Sequence, residues 1–315
     1  MTPYQAWVSG HPQGSLWQSY AWKGFQEALG RSVRIYVEEK GSAITASALV
    51  VIDRTVRDLS TWDLPRGPLW TEDADINALM RRIVDDAVAD HGLAVYTSPS
   101  LPLKTEIRTV PSPRHEQPEA SIVLDLRVSE EQLLAQMLPK GRYNIGVAKR
   151  HGVNVRETRD VDAFTALAKE TALRDGFRAP SAAHYQAFLD HLPGSFLLLA
   201  FESESATQPI GGLLGAIWGA CGIYYYGASS YAHRALMAPF LLQWEAMAHC
   251  RTAGAMTYDL LGIAPPDAGS GHPWAGITGF KRKFGGTIVT YPPEHQCVLR
   301  PLSLRAIRLK RKILG

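Results

Sequence analysis

Apolar positions along this chain recur in two registers, every second residue over short runs and every three to four over longer ones. The same succession of registers occurs twice. Arg31–Glu39 and Ser42–Asp53 read as strands joined by a turn that contains Gly41. A third extended run ends near Trp70. Ile76, Leu79, Met80, Ile83, Val84, Ala87 and Val88 then share one helical face, with acidic residues before them and Gly92 just beyond, and Leu93–Thr97 reads as a strand. The second occurrence runs through strands at Ser195–Phe201, Ile210–Trp218 and Cys221–Ala228. A helix over Ala238–Ala253, closed by Gly254, and a strand over Met256–Leu261 complete it.

This order predicts an α/β (α+β) protein of two acetyltransferase-like (GNAT-like) domains, each a mixed sheet flanked by helices. The expected boundaries are 1–125, completed by 293–315, and 126–292. Between the repeats, residues 99–120 hold five prolines and read as an irregular crossing segment. Ser121–Leu126 follows as a strand, and Ser129 with Gln132 has the spacing of a capping box. Further helices are expected over Tyr143–Arg150, Asp162–Leu173 and Ala182–Leu192, the last two capped by Asp160 and Ser181.

A length of 315 residues accommodates two such domains, and 46% hydrophobic with 20% charged residues is the balance of a water-soluble protein. No apolar run approaches the roughly 18–20 residues that span a bilayer. The N-terminal residues lack a basic segment followed by an apolar one, so a cytoplasmic location is expected. The three cysteines are too far apart for metal-ligand spacing, so neither a metal nor a disulfide framework is expected.

The net charge of +3 is unevenly spread. Lys140, Arg142, Lys149 and Arg150 cluster, Lys281, Arg282 and Lys283 are consecutive, and six further cations lie between Arg300 and Lys312. Such patches suit nucleic-acid phosphates or an anionic membrane surface. Within Gly276–Gly286, Phe280 and Phe284 bracket the three cations, and strand alternation would put Lys281 and Lys283 on one face. The loop between Ala228 and Ala238 is where this fold class cradles a coenzyme A pyrophosphate with backbone N–H groups. Met237 and Pro239 oppose that use, because proline has no N–H and methionine obstructs close approach.

Five stretches, Leu16–Gly30, Leu138–Val153, Tyr224–Ser229, Tyr258–Ile263 and Gly279–Gly286, resemble in order the FemABX family. Its members are peptidyltransferases that use aminoacyl-tRNA to build peptidoglycan cross-bridges. The resemblance implies transfer of an amino acid from aminoacyl-tRNA to an amine of a precursor stem peptide, with no cofactor and with a lipid-linked or nucleotide-linked acceptor. It further implies Lys281 and Tyr226 at the reacting groups, and Arg178 with Tyr185 on the acceptor. Phe280 and Lys283 flank that lysine as substrate contacts. Gln26 stands where a relative suited to nucleotide-linked acceptors has lysine, and Ser98 where an acid is expected, so the acceptor grip is altered. No long heptad stretch is present, and a helical arm is not expected. Another acyltransferase acting on a lipid, polysaccharide or small amine, or a non-catalytic RNA-binding protein, are the rival readings. Asp259 and His272 are weighed as proton acceptors, and Cys250 beside His249 as packing.

Overall fold

A computed structural model describes residues 1–54, 58–114, 116–269 and 271–314. Residues 1–119 with 291–315 form one unit and 120–290 a second. The chain begins with α1 (Pro3–Gly10), α2 (Tyr20–Ala28), β1 (Ser32–Lys40), β2 (Ala43–Arg54), β3 (Ser60–Pro65), β4 (Leu69–Trp70), α3 (Ile76–Ala89), β5 (Gly92–Ser98) and β6 (Val110–Pro111). The second unit holds β7 (Ala120–Asp125), α4 (Glu130–Gln136), α5 (Pro139–Arg150), β8 (Asn154–Thr158), α6 (Val161–Asp175), α7 (Ala182–His191), β9 (Phe196–Phe201), β10 (Pro209–Trp218), β11 (Cys221–Ser229), α8 (Ala238–Thr252), β12 (Thr257–Asp259), α9 (Ala275–Lys281) and β13 (Thr287–Thr290). The chain then returns to the first unit as β14 (His295–Val298) and α10 (Pro301–Leu314).

The sheets are ordered β1-β2-β3-β5-β14-β6, with β4 beside β2, and β13-β7-β12-β11-β10-β9-β8. In each, a hairpin and a third antiparallel strand lead through a helix to a strand parallel to the third, β3 with β5 and β11 with β12. The expected repeat is therefore a structural one. Ser129, Asp160 and Ser181 accept the backbone N–H bonds foreseen for helix caps, Asp75 does the same for α3, and Gly41 turns the first hairpin at φ +67°.

The expected end of the first domain shifts, because β7 pairs with β12 and β13 in the second sheet. Its apolar side chains Ile122 and Leu124 pack in the second core with Leu213, Leu241, Met247, Tyr258 and Phe284. In the first unit, Val50, Ile52 and Trp62 close against Leu79 and Ile83 of α3. Burying each of these large side chains contributes roughly 1.5–3 kcal/mol. Leu304 of α10 packs with Leu93, Ala94 and Tyr96.

The larger correction concerns Gly276–Gly286. Ala275–Lys281 is a short helix and Arg282–Phe284 a 3-10 turn, so strand alternation does not apply to the three cations. Phe280 and Phe284 pack on Phe240, with ring centroids 5.1 and 5.7 Å away, and this clustering is satisfied by helical spacing.

Candidate functional site

The parallel pairing of β11 with β12 is short, running from Cys221–Ile223 against Thr257–Asp259, whereas β11 pairs with β10 as far as Ser229. Beyond β12 the chain turns along β7 instead: Leu260 donates to the Ile122 carbonyl and Ile263 to that of Ala120. The sheet forks there. A register shift in β11 also sets Tyr224 opposite Gly215 and Tyr226 opposite Leu214, leaving Tyr225 as the extra residue of a bulge. Adjacent residues of β10 point to opposite faces, so Tyr224 and Tyr226 do too, whereas an unbroken strand would put them on one face.

Lys281 stands at this fork. Its Nζ donates to the carbonyls of Leu261 at 3.0 Å and Gly262 at 2.7 Å, and lies 5.4 Å from the centre of the Tyr224 ring. The side chain is buried, and desolvation lowers the ammonium to about 8 against the pull of Asp259. An ammonium has three donors, and these two carbonyls occupy two of them. Asp259 holds the turn: it accepts from the Ser121 hydroxyl and from the Leu261 N–H, while Leu261 adopts φ +56°. Gly227 completes the wall, since a Cβ there would lie 1.9 Å from the Tyr224 hydroxyl. Burial pushes that hydroxyl up to about 12.

On the other face, the Tyr226 hydroxyl is 2.8 Å from His184 Nε2, and the Tyr185 ring packs at 5.2 Å. His184 carries no sequence signal, because a helix lies against a strand 42 positions away. Tyr185 is buried, whereas Arg178 is exposed in the connection before α7, so the structure does not gather that pair. Phe280 is half-buried in the aromatic cluster. Lys283 is half-buried too, its ammonium pKa lowered by burial and by Lys140. Lys140, Lys149 and Arg150 are exposed, but Arg142 donates to the carbonyls of Leu134, Ala135 and Met137 and so closes the end of α4.

The first unit has its own cavity of about 280 Å³, lined by Gln26, Asp63, Tyr96, Ser98, Arg114 and Glu294. Gln26 is buried and accepts from Arg31 Nη1 at 2.6 Å; Ser98 donates to Glu294 at 3.1 Å. Arg114 binds Asp63 and Glu294 and stacks 3.3 Å from the Tyr96 centroid. Burial pushes the Asp63 carboxyl up to about 6, against the pull of Arg114 and with repulsion from Glu294 and Glu116. Sequence spacing could not reveal this triad, whose members lie 51 and 180 positions apart.

His272 accepts from the Trp274 N–H and shapes the turn before α9. Cys250 is fully buried against Gly222, where an added Cβ would lie 2.4 Å from the thiol, in keeping with packing. Met237 adopts φ +54° and begins α8 with no side-chain cap, and Pro239 lies in its first turn. Acetyl-CoA is therefore expected to give no saturable heat in titration calorimetry; a stoichiometric complex of about micromolar affinity would show that these residues leave a usable phosphate cradle.

The FemAB family model matches residues 106–201 and 197–312. A lipid II:glycine glycyltransferase of Staphylococcus haemolyticus is 22% identical, the alignment covering 99% of this chain and 97% of that protein. The crystal structure of FemX superposes with a TM-score of 0.82 at 17% identity over 98% of both chains. A tandem GNAT protein from the clavulanic acid biosynthesis pathway has a TM-score of 0.50 at 12% identity, over 85% of this chain and 83% of that one. These structural likenesses establish the tandem acetyltransferase-like fold.

Proposed function

The chain belongs to the FemAB family, and from that premise we propose that it moves an amino acid from aminoacyl-tRNA to an amine of a peptidoglycan precursor, forming a cell-wall cross-bridge. The observation that carries this reading is the buried Lys281 ammonium at the fork between β11 and β12. The acceptor amine attacks the ester carbonyl, the bond to the ribose oxygen breaks, and an amide forms. The amine loses a proton and the ribose oxygen gains one. Because the ester is already an activated acyl group, the protein's task is to hold the reactants and stabilise the oxyanion. Lys281 supplies its remaining N–H to that oxyanion, with Tyr224 as a wall.

Tyr226, bonded to His184 on the face of β11 opposite Lys281, is therefore given no part at the reacting ester, and buried Tyr185 packs against it; Arg178, on the exposed approach to α7, is the residue of that group assigned to the acceptor. Phe280 and Lys283 shape the lysine's surroundings, and Lys140, Lys149 and Arg150 offer charge to the tRNA backbone. A lipid-linked acceptor, reached from the cytoplasmic face of the membrane, agrees with the lipid II named for the staphylococcal relative and with a neutral Gln26 committed to Arg31.

The test supplies charged tRNA pools with lipid-linked and nucleotide-linked precursors, followed by mass spectrometry of the stem peptide. Addition of one aminoacyl residue, abolished when ribonuclease is present from the start, is expected. Acylation that survives ribonuclease with another acyl donor would overturn the tRNA-dependent reading.

A further inference from the structure

The last helix, α10, has two apolar faces. Leu304 is buried against Leu93, Ala94 and Tyr96, Ile307 packs beside it, and Arg308 donates to the Tyr96 hydroxyl and to Gln296. These contacts fix which side faces outward. Leu302 is 84% and Leu309 60% exposed. Seven residues and two turns separate them, so they form one stripe, with exposed Ala306 between them and exposed Arg305 and Lys310 on its flanks. No acidic residue follows Glu294 in the sequence. Leucines in the middle of an outward face, bordered by cations, are the arrangement of a helix that lies in the interfacial layer of an anionic bilayer.

We propose that the outward face of α10 docks this protein onto an anionic membrane surface, Leu302 and Leu309 entering the boundary of the acyl chains and Arg305 and Lys310 meeting lipid phosphates. RNA would be served by the cations alone and gives the two leucines no role. A second copy would set like-charged flanks against each other. At 14 residues and with several cations, the helix is too short and too charged to span a bilayer. Its usefulness, delivery of the enzyme to a lipid-linked acceptor, rests on the function proposed above, but the binding does not.

The experiment is co-sedimentation of the full chain with vesicles of phosphatidylglycerol and phosphatidylcholine, or of phosphatidylcholine alone, over a range of salt. A parallel arm measures tRNA binding by gel shift. Wild type should bind the anionic vesicles and hardly the neutral ones, with affinity falling as salt rises. Leu302→Ser with Leu309→Ser, and separately Arg305→Glu with Lys310→Glu, should each weaken vesicle binding by about tenfold or more. The leucine pair should leave tRNA binding and transfer to a detergent-solubilised acceptor unchanged, and all four positions are exposed, so circular dichroism and thermal midpoints should match wild type. Absence of wild-type binding to anionic vesicles at low salt would overturn the proposal. So would leucine variants that bind as wild type, or a leucine effect on tRNA equal to that on vesicles. If vesicle binding holds while tRNA-dependent transfer fails, only the function above falls.

Discussion

Lys281→Met is expected to lower single-turnover transfer by about 10²- to 10³-fold, the cost of losing one donor to a developing oxyanion. Its fold should survive. The change replaces a desolvated ammonium with a neutral side chain of similar length, and the Leu261 and Gly262 carbonyls it leaves belong to residues that are only partly buried. Lys283→Met is the control: that side chain is half-buried beyond the helix end, over the Phe240 ring at 5.7 Å, and its loss should cost only a few-fold. Lysine acts here as the ammonium, present below about 8, so the alkaline limb of the transfer rate should fall through that value. Lys281→Arg stays charged at any such pH and should move the limb upward. Near-normal transfer by Lys281→Met, measured with a thermal midpoint close to wild type, would remove this lysine from the chemistry.

Arg114→Met is expected to destabilise the first unit by about 3 kcal/mol, at the low end of the cost of removing one partner from a buried ion pair. Asp63 keeps 26% of its side chain exposed and Glu294 only 4%, so both carboxylates lose their counter-ion but one still touches water. The pH dependence has a definite sign. A carboxyl whose folded pKa is raised favours folding below its unfolded value of about 4 and loses that contribution as pH rises through the folded value. For Asp63 that window runs from about 4 to about 6 in the wild type, and without Arg114 it extends higher. Urea midpoints of the variant and wild type should therefore lie far apart at pH 8 and close together near pH 5. Equal separation at both values would mean that the two acids are not what Arg114 neutralises.

Much of the architecture was legible in the chain. The hairpin, strand, helix, strand order was written in period-two and period-3.6 patterns, and the caps at Ser129, Asp160 and Ser181 were readable because capping acts over three residues. Gly276–Gly286 was misread as extended because Phe280 and Phe284 lie four apart, a spacing open to either element when the run is short. The motifs that resemble FemABX sequences pointed to Lys281, but not to its surroundings.

What the sequence determined by itself was local: helices, strands, their caps, and a lysine between two aromatics. What only the tertiary structure decided was which groups meet. The bulge that sends Tyr224 toward Lys281 and Tyr226 toward His184 depends on strand pairing, the Leu261 and Gly262 carbonyls reach Lys281 across about twenty residues, and Arg114 joins Asp63 to Glu294 across the first unit. Each of these contacts is fixed by burial and register between distant segments, and none has a signature in the spacing of residues along the chain.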